Sequence, residues 1–355
     1  MTKIHWTVTA AATSLLAVSW STPPRIEAPV KHMSFRITLL SVAISLITSA
    51  AHTQTIITEP DQGFTPVYNF INSATKTLDM TMYELVDTTA EQDLAALAQN
   101  GVVVRVILDQ NLEKSSNTAA YNYLTANGVS VHWANPTYSA THQKTITIDG
   151  DSSMILTANL TSEYYTTTRD FAVIDTNQTN VAAIEKVFNA DFTNATITPS
   201  KAYSLIWSPT DSSTDLVAII NNATHSLTVE NEEMSDSAIV TALENAAKRG
   251  VVVKVIMTND DNEYESEFNA LNKAGVQIRT YKDTSTTLYI HAKVILADYG
   301  YSGAEEVFVG SENFSVASLT KNRELGLTMA TASILATFNT VLNSDFAGGT
   351  AWTTT

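Results

Sequence analysis

Two short stretches of the chain place an ammonium group two residues after an imidazole and a carboxylate seven residues after it. They are His142-Gln143-Lys144-Thr145-Ile146-Thr147-Ile148-Asp149 and His291-Ala292-Lys293-Val294-Ile295-Leu296-Ala297-Asp298. Three fixed residue types at such spacing arise by chance about once in eight thousand start positions, so two occurrences in one chain carry weight. On an extended strand, residues i and i+2 share a face, so each histidine and its lysine point the same way. An imidazole beside a fixed cation suits an anionic ligand. A zinc site is disfavoured, because each lysine would repel a dication held between the histidines. The seven-residue step is odd, which turns Asp149 and Asp298 toward the opposite face. They are expected to support the fold around the site.

The two stretches belong to a longer repeat. Gly101-Val102-Val103-Val104-Arg105-Val106-Ile107 returns as Gly250-Val251-Val252-Val253-Lys254-Val255-Ile256, an offset of 149 that also links Leu78 to Leu227, Glu84 to Glu233 and His142 to His291. Beyond the histidines the offset becomes 154, linking Asn159 to Asn313, Arg169-Asp170 to Arg323-Glu324 and Asp191-Phe192 to Asp345-Phe346. An insertion of five residues near Tyr299–Gly303 accounts for the change. The repeat unit is far longer than a solenoid repeat, so it reads as a duplicated domain.

Each copy reads as α/β. Helical patterns over Glu91–Asn100 and Ser237–Arg249 stop at Gly101 and Gly250, and Ser235 or Asp236 can cap the second. The apolar runs Val102–Leu108 and Val251–Met257 suit strands covered on both faces. A second helix ends at Gly128 or Gly275, further strands follow, and helices at 179–191 and 331–345 close the copies. The expected architecture is two similar domains, 54–199 and 200–355. Each is a mixed sheet flanked by helices, related to the other by a pseudo-twofold axis, with one site at their interface.

The paired motifs resemble those of the phospholipase D superfamily, and the resemblance covers about residues 54–350. Gly310-Ser311-Glu312-Asn313 is similar to the family's Gly-Ser-x-Asn element, and Asn322-Arg323-Glu324 and Met82-Tyr83-Glu84-Leu85 are also similar to family segments. The first copy departs: Thr157-Ala158-Asn159 keeps the asparagine without Gly-Ser, and Asp170 stands where the family has glutamate. The resemblance implies a metal-independent and cofactor-free phosphodiesterase. Lys144, Lys293, Asn159, Asn313 and Ser311 would hold the phosphate, as preorganised donors to developing negative charge. His142 would attack phosphorus and His291 would serve as acid and base, although residue types alone fit the reverse order equally. Asp170 and Glu324 would fix the imidazole tautomers.

Net charge is −16 and the pI about 4.7, so a polyanion such as nucleic acid is repelled on average. The absence of cysteine excludes disulfides and thiolate chemistry. Met33-Ser34-Phe35-Arg36 followed by the apolar run Ile37–Ile47 and Ser49-Ala50-Ala51 reads as a cleaved export signal, 33–51. Residues 1–32 then read as an upstream extension, and the mature chain is expected to be periplasmic or secreted. The implied ligand is a phospholipid or another phosphodiester, with transient contact at a membrane surface. Both half-sites lie on one chain, so a monomer suffices. A nonspecific nuclease of the same superfamily is the alternative enzyme. A non-catalytic phosphate- or lipid-binding module is the second alternative. Tyr138, Tyr164, Tyr165 and Tyr289 could shape an entrance or simply pack, Glu84 and Glu233 could line a rim or be solvated, and His132 and His225 are assigned no role.

Overall fold

The valine-rich runs after Gly101 and Gly250 form the strands Val103–Leu108 and Val252–Asn259. The structure, a computed structural model, describes residues 53–354; the expected export signal and upstream extension lie outside the described residues. The two glycines adopt φ of 90° and 94°, the left-handed conformation that lets a helix stop and the chain turn into a strand. The helices before them are Thr88–Gln99 and Ser237–Lys248. Their caps match across the repeat: Asp87 accepts the N–H groups of Thr89 and Ala90, and Asp236 those of Ala238 and Ile239. Asp87 satisfies donors of the first turn, so the first helix begins ahead of the expected Glu91.

Each half builds a mixed sheet in the same strand order. In the first half the order is Gln54–Glu59, Thr168–Asp175, Ser152–Leu156, Thr145–Ile148, Thr77–Met82, Val103–Leu108, Ser130–Trp133. In the second it is Leu205–Ser208, Glu324–Met329, Glu306–Gly310, Val294–Ala297, Ser226–Glu230, Val252–Asn259, Gln277–Lys282, with Thr350–Ala351 added at the edge. Thr77–Met82 runs parallel to Val103–Leu108 and antiparallel to Thr145–Ile148, and Ser226–Glu230 repeats this arrangement. The insertion sits in a hairpin: residues 298–305 join the second pair of strands, where 149–151 suffice in the first. No helix among the described residues is long and apolar enough to cross a membrane.

Each half has its own apolar core, and a third core is shared. Ile155, Phe171 and Val173 of the first half pack there with Trp207, Ile290, Leu325 and Phe338 of the second. Burying each such side chain contributes about 1.5–3 kcal/mol, so the shared core commits the halves to one unit. It also explains why these strands are apolar on both faces: helices cover one and the other half covers the second.

Polar contacts lock the same interface symmetrically. Arg169 donates to Asp345 through Nε at 2.6 Å and Nη2 at 3.1 Å, and Arg323 pairs with Asp191 at 2.9 Å. The repeat relates these pairs to each other, and each joins opposite halves. Arg169 and Asp345 are both buried, so removing the cation leaves an uncompensated carboxylate in the interior. Arg169→Met is expected to lower unfolding free energy in urea by about 3–5 kcal/mol. A loss below about 1 kcal/mol would show that this pair does not hold the halves.

Candidate active site

Each histidine follows a short segment strapped to the opposite half. Tyr289–Ile290 pairs in parallel with Thr168 and Arg169, and Thr141 forms the matching bridge to Arg323. His142 N then donates to Arg323 O at 2.9 Å, and His291 N to Arg169 O at 3.3 Å. The residues following those arginines are Asp170 and Glu324, so each imidazole meets the carboxylate of the other half. His142 Nδ1 lies 2.8 Å from Glu324 Oε2, and His291 Nδ1 lies 2.8 Å from Asp170 Oδ1. A carboxylate only accepts, so Nδ1 of each ring carries the proton and Nε2 faces the site.

The carboxylates are themselves held. Glu324 Oε1 accepts from Ser318 Oγ at 2.6 Å and from Asn322 Nδ2 at 3.0 Å, and Asp170 Oδ1 accepts from Thr157 Oγ1 at 2.5 Å. Burial works against ionising both carboxyls, but the facing histidines and lysines outweigh it and hold both below the ordinary carboxylate range. Burial, and then the Lys144 ammonium, push His142 below the ordinary imidazole range, against the pull of Glu324. Burial followed by Lys293 drives Lys144 down to about 7. The two half-sites therefore share one electrostatic field.

Lys144 and Lys293 are fully buried. Lys144 Nζ donates to His142 O at 2.7 Å, and Lys293 Nζ donates to His291 O. In each half the lysine thus turns back onto the backbone of its own motif, just ahead of the strands Thr145–Ile148 and Val294–Ala297. Asp149 and Asp298 bond elsewhere. Asp149 accepts from the backbone of Thr75, Lys76 and Thr77, and Asp298 from that of Thr224, His225 and Ser226. Burial opposes ionisation of Asp149, yet these donors and the Thr75 hydroxyl bring it down to about 2. Both aspartates sit at positive φ, 55° and 49°, where the chain turns out of the motif strand.

Ser311 stands behind His142 and is fully buried. Its Oγ accepts from Leu325 N at 3.2 Å, and its carbonyl lies 3.2 Å from His142 Nδ1. Through that carbonyl it braces the ring. Thr157 takes the same position in the first half, accepting from Phe171 N at 2.9 Å, so the departure from Gly-Ser preserves the hydroxyl.

A cavity of about 610 Å³ opens at His291 and Asp170, with Asn159, Tyr164, Tyr165, Tyr289 and Glu232 in its wall. Tyr138 instead covers the Arg323 guanidinium, 4.4 Å from its ring centre. His132 stacks on Phe192 and His225 on Tyr301. Glu84 accepts from Thr161 at 3.0 Å, whereas Glu233 accepts from Asn313 at 3.0 Å. Sequence reasoning missed Glu232, whose Oε2 lies 3.0 Å from Lys293 Nζ, 3.2 Å from Asn313 Nδ2 and 3.5 Å from His291 Nε2. The offset of 149 aligns it with Tyr83, so the repeat itself held the signal. Tyr83 has an edge-on ring contact with His142, its centre 4.5 Å away.

A family model described as cardiolipin synthase, PLD-like domain, matches residues 67–192 and again 216–346. The chain belongs to the PLD-like family. A phospholipase D from Rickettsia typhi is 34% identical over 110 residues, which is 31% of this chain and 50% of that protein. The match thus spans half the length of that relative. Phosphatidylserine synthase from Haemophilus influenzae shares the fold, with a TM-score of 0.66, 13% identity, and coverage of 84% of this chain and 87% of that one. Polyphosphate kinase from Porphyromonas gingivalis aligns with a TM-score of 0.64 and 17% identity, over 82% of this chain and 50% of that one.

The buried PLD-like site has a stated pH signature. His142 gains a proton below its lowered range, and Lys144 loses its positive charge as pH rises through about 7. Cleavage of a small chromogenic phosphodiester is therefore expected to fall on both sides of a maximum, with the alkaline limb set by Lys144. A rate that climbs steadily to about pH 9 would contradict the role of that ammonium.

Proposed function

We propose that the protein is a metal-independent phosphodiesterase of phospholipase D type, acting on phospholipid head groups through a phosphohistidine. The observation that carries the reading is the meeting of two carboxylate-backed imidazoles and two buried lysines in one field. His142 Nε2, with its proton placed on Nδ1, is free to attack phosphorus. As the new P–N bond forms, the bond from phosphorus to the head-group oxygen breaks, and His291 gives that oxygen its Nε2 proton. His291 then takes a proton from water, whose oxygen attacks phosphorus. The P–N bond breaks, and phosphate monoester and neutral His142 are released. Lys144, Lys293, Asn159 and Asn313 supply donors to the nonbridging oxygens, where negative charge grows.

Charge favours a head group over nucleic acid. Glu163, Asp283 and Glu232 line the cavity at His291, and its lining contains no lysine or arginine. A polyanionic strand would run against these acids and against the net charge of −16. The family description and the relative named phospholipase D point the same way. Export of the mature protein and transient docking on a lipid surface belong to the same reading.

His142→Ala and His291→Ala are each expected to reduce head-group release from short-chain phospholipids at least roughly a thousandfold, in the presence of EDTA. Plasmid degradation, assayed beside it, should stay slow. Fast plasmid cleavage with inert lipid would instead identify a nuclease. If either variant retains wild-type rates, the shared-site mechanism fails.

A further inference from the structure

The expected phosphate donors are not open to the cavity. Of Lys144, Lys293, Asn159 and Asn313, only Asn159 reaches its wall. Lys293 is fully buried and Asn313 nearly so, and the group that covers both is the Glu232 carboxylate. Its Oε2 gathers Lys293 Nζ at 3.0 Å, Asn313 Nδ2 at 3.2 Å and His291 Nε2 at 3.5 Å. Its Oε1 lies 3.3 Å from the Tyr289 hydroxyl, which donates to it. One carboxylate oxygen thus takes up the set of donors that a nonbridging phosphoryl oxygen would need.

We propose that Glu232 is a resident anion that occupies the phosphate seat and must be displaced for substrate to bind. The proposal rests on the phosphodiesterase reading and adds a residue to it. The side chain remains 24% exposed and borders the main cavity and a smaller one of about 320 Å³, so it has space to swing into. Glu233 is its neighbour in the smaller cavity and shares Asn313 with it, at 3.0 Å, so two carboxylates already compete for that amide.

The arrangement is one-sided. The matching residue of the first half is Tyr83, a neutral ring whose centre lies 5.0 Å from Lys144 Nζ. Of the two motif lysines, only that of the His291 half has a carboxylate within ion-pair distance among the described residues. With Asp170 on Nδ1 and Glu232 near Nε2, His291 faces an acceptor on both sides. A carboxylate oxygen thus stands 2.8 Å from one ring nitrogen and 3.5 Å from the other. Among the described residues, no carboxylate lies within ion-pair distance of His142 Nε2. Glu232 in this way separates the roles of two rings that the repeat makes alike, and it screens the buried lysine until a phosphate replaces it. A free phosphate has to compete with a tethered carboxylate, whereas a whole diester brings additional contacts in the cavity. Glu232 therefore discriminates against small anions.

The test is tungstate binding to the full chain, measured by calorimetry. Glu232→Gln removes the competing charge and keeps the shape, and it is expected to bind tungstate about tenfold or more tighter than wild type. Glu232→Ala should shift the same way, with thermal melting checked for both variants. Unchanged or weaker binding in both folded variants overturns the proposal. Lys293→Ala separates the two levels of the account. The substitution is made in the Glu232→Gln background, where the seat is open. If that double variant binds tungstate as Glu232→Gln does, the anion seat of the phosphodiesterase reading is wrong, whatever Glu232 does.

Discussion

The structure depends on an exchange between its halves. Each imidazole is supplied by one half and oriented by a carboxylate of the other, through His142–Glu324 and His291–Asp170. The backbone enforces this: the segments before the histidines pair with the strands that carry Asp170 and Glu324. Two buried arginines, one residue before those carboxylates, cross the same boundary in the same exchanged sense. Neither half holds by itself the carboxylate that meets the Nδ1 of its histidine. The shared apolar core then holds the two pairs as well as the fold, because any slip between the sheets would separate both pairs together.

This geometry concentrates cations inside an acidic protein. Two lysines with no exposed surface are costly to keep charged, and burial drives Lys144 down to about 7. Asp170, Glu324 and Glu232 provide the compensating charge, and all three are held below the ordinary carboxylate range, against their burial, by the facing cations. The site is therefore an alternating cluster of positive and negative groups. The acids around the cavity mouth extend the same logic outward and set a field hostile to polyanions.

Much of this was legible in the residues. The offsets of 149 and 154 fixed which positions are equivalent. The exchange itself was not legible. A duplicated pattern reads identically whether a carboxylate serves its own half or the other, and only strand pairing decides. The backbone contact of the Ser311 hydroxyl was not legible, because a motif does not say which partner a hydroxyl takes. Thr157 does the same work without the Gly-Ser signature. Glu232 was hidden in the run Glu230-Asn231-Glu232-Glu233, where acids of very different fates stand together: Glu230 is fully buried, while Glu232 reaches the site. The capping of Thr88–Gln99 by Asp87 was missed because that residue lies ahead of the apolar periodicity.

Nitrogen-15 NMR of labelled histidine side chains tests the exchange most directly. Glu324→Gln is expected to shift the ring nitrogens of His142 and leave those of His291 in place, and Asp170→Asn is expected to do the reverse. Each substitution shifting the histidine of its own half, or neither shifting any ring, would contradict the crossed pairing on which the account stands.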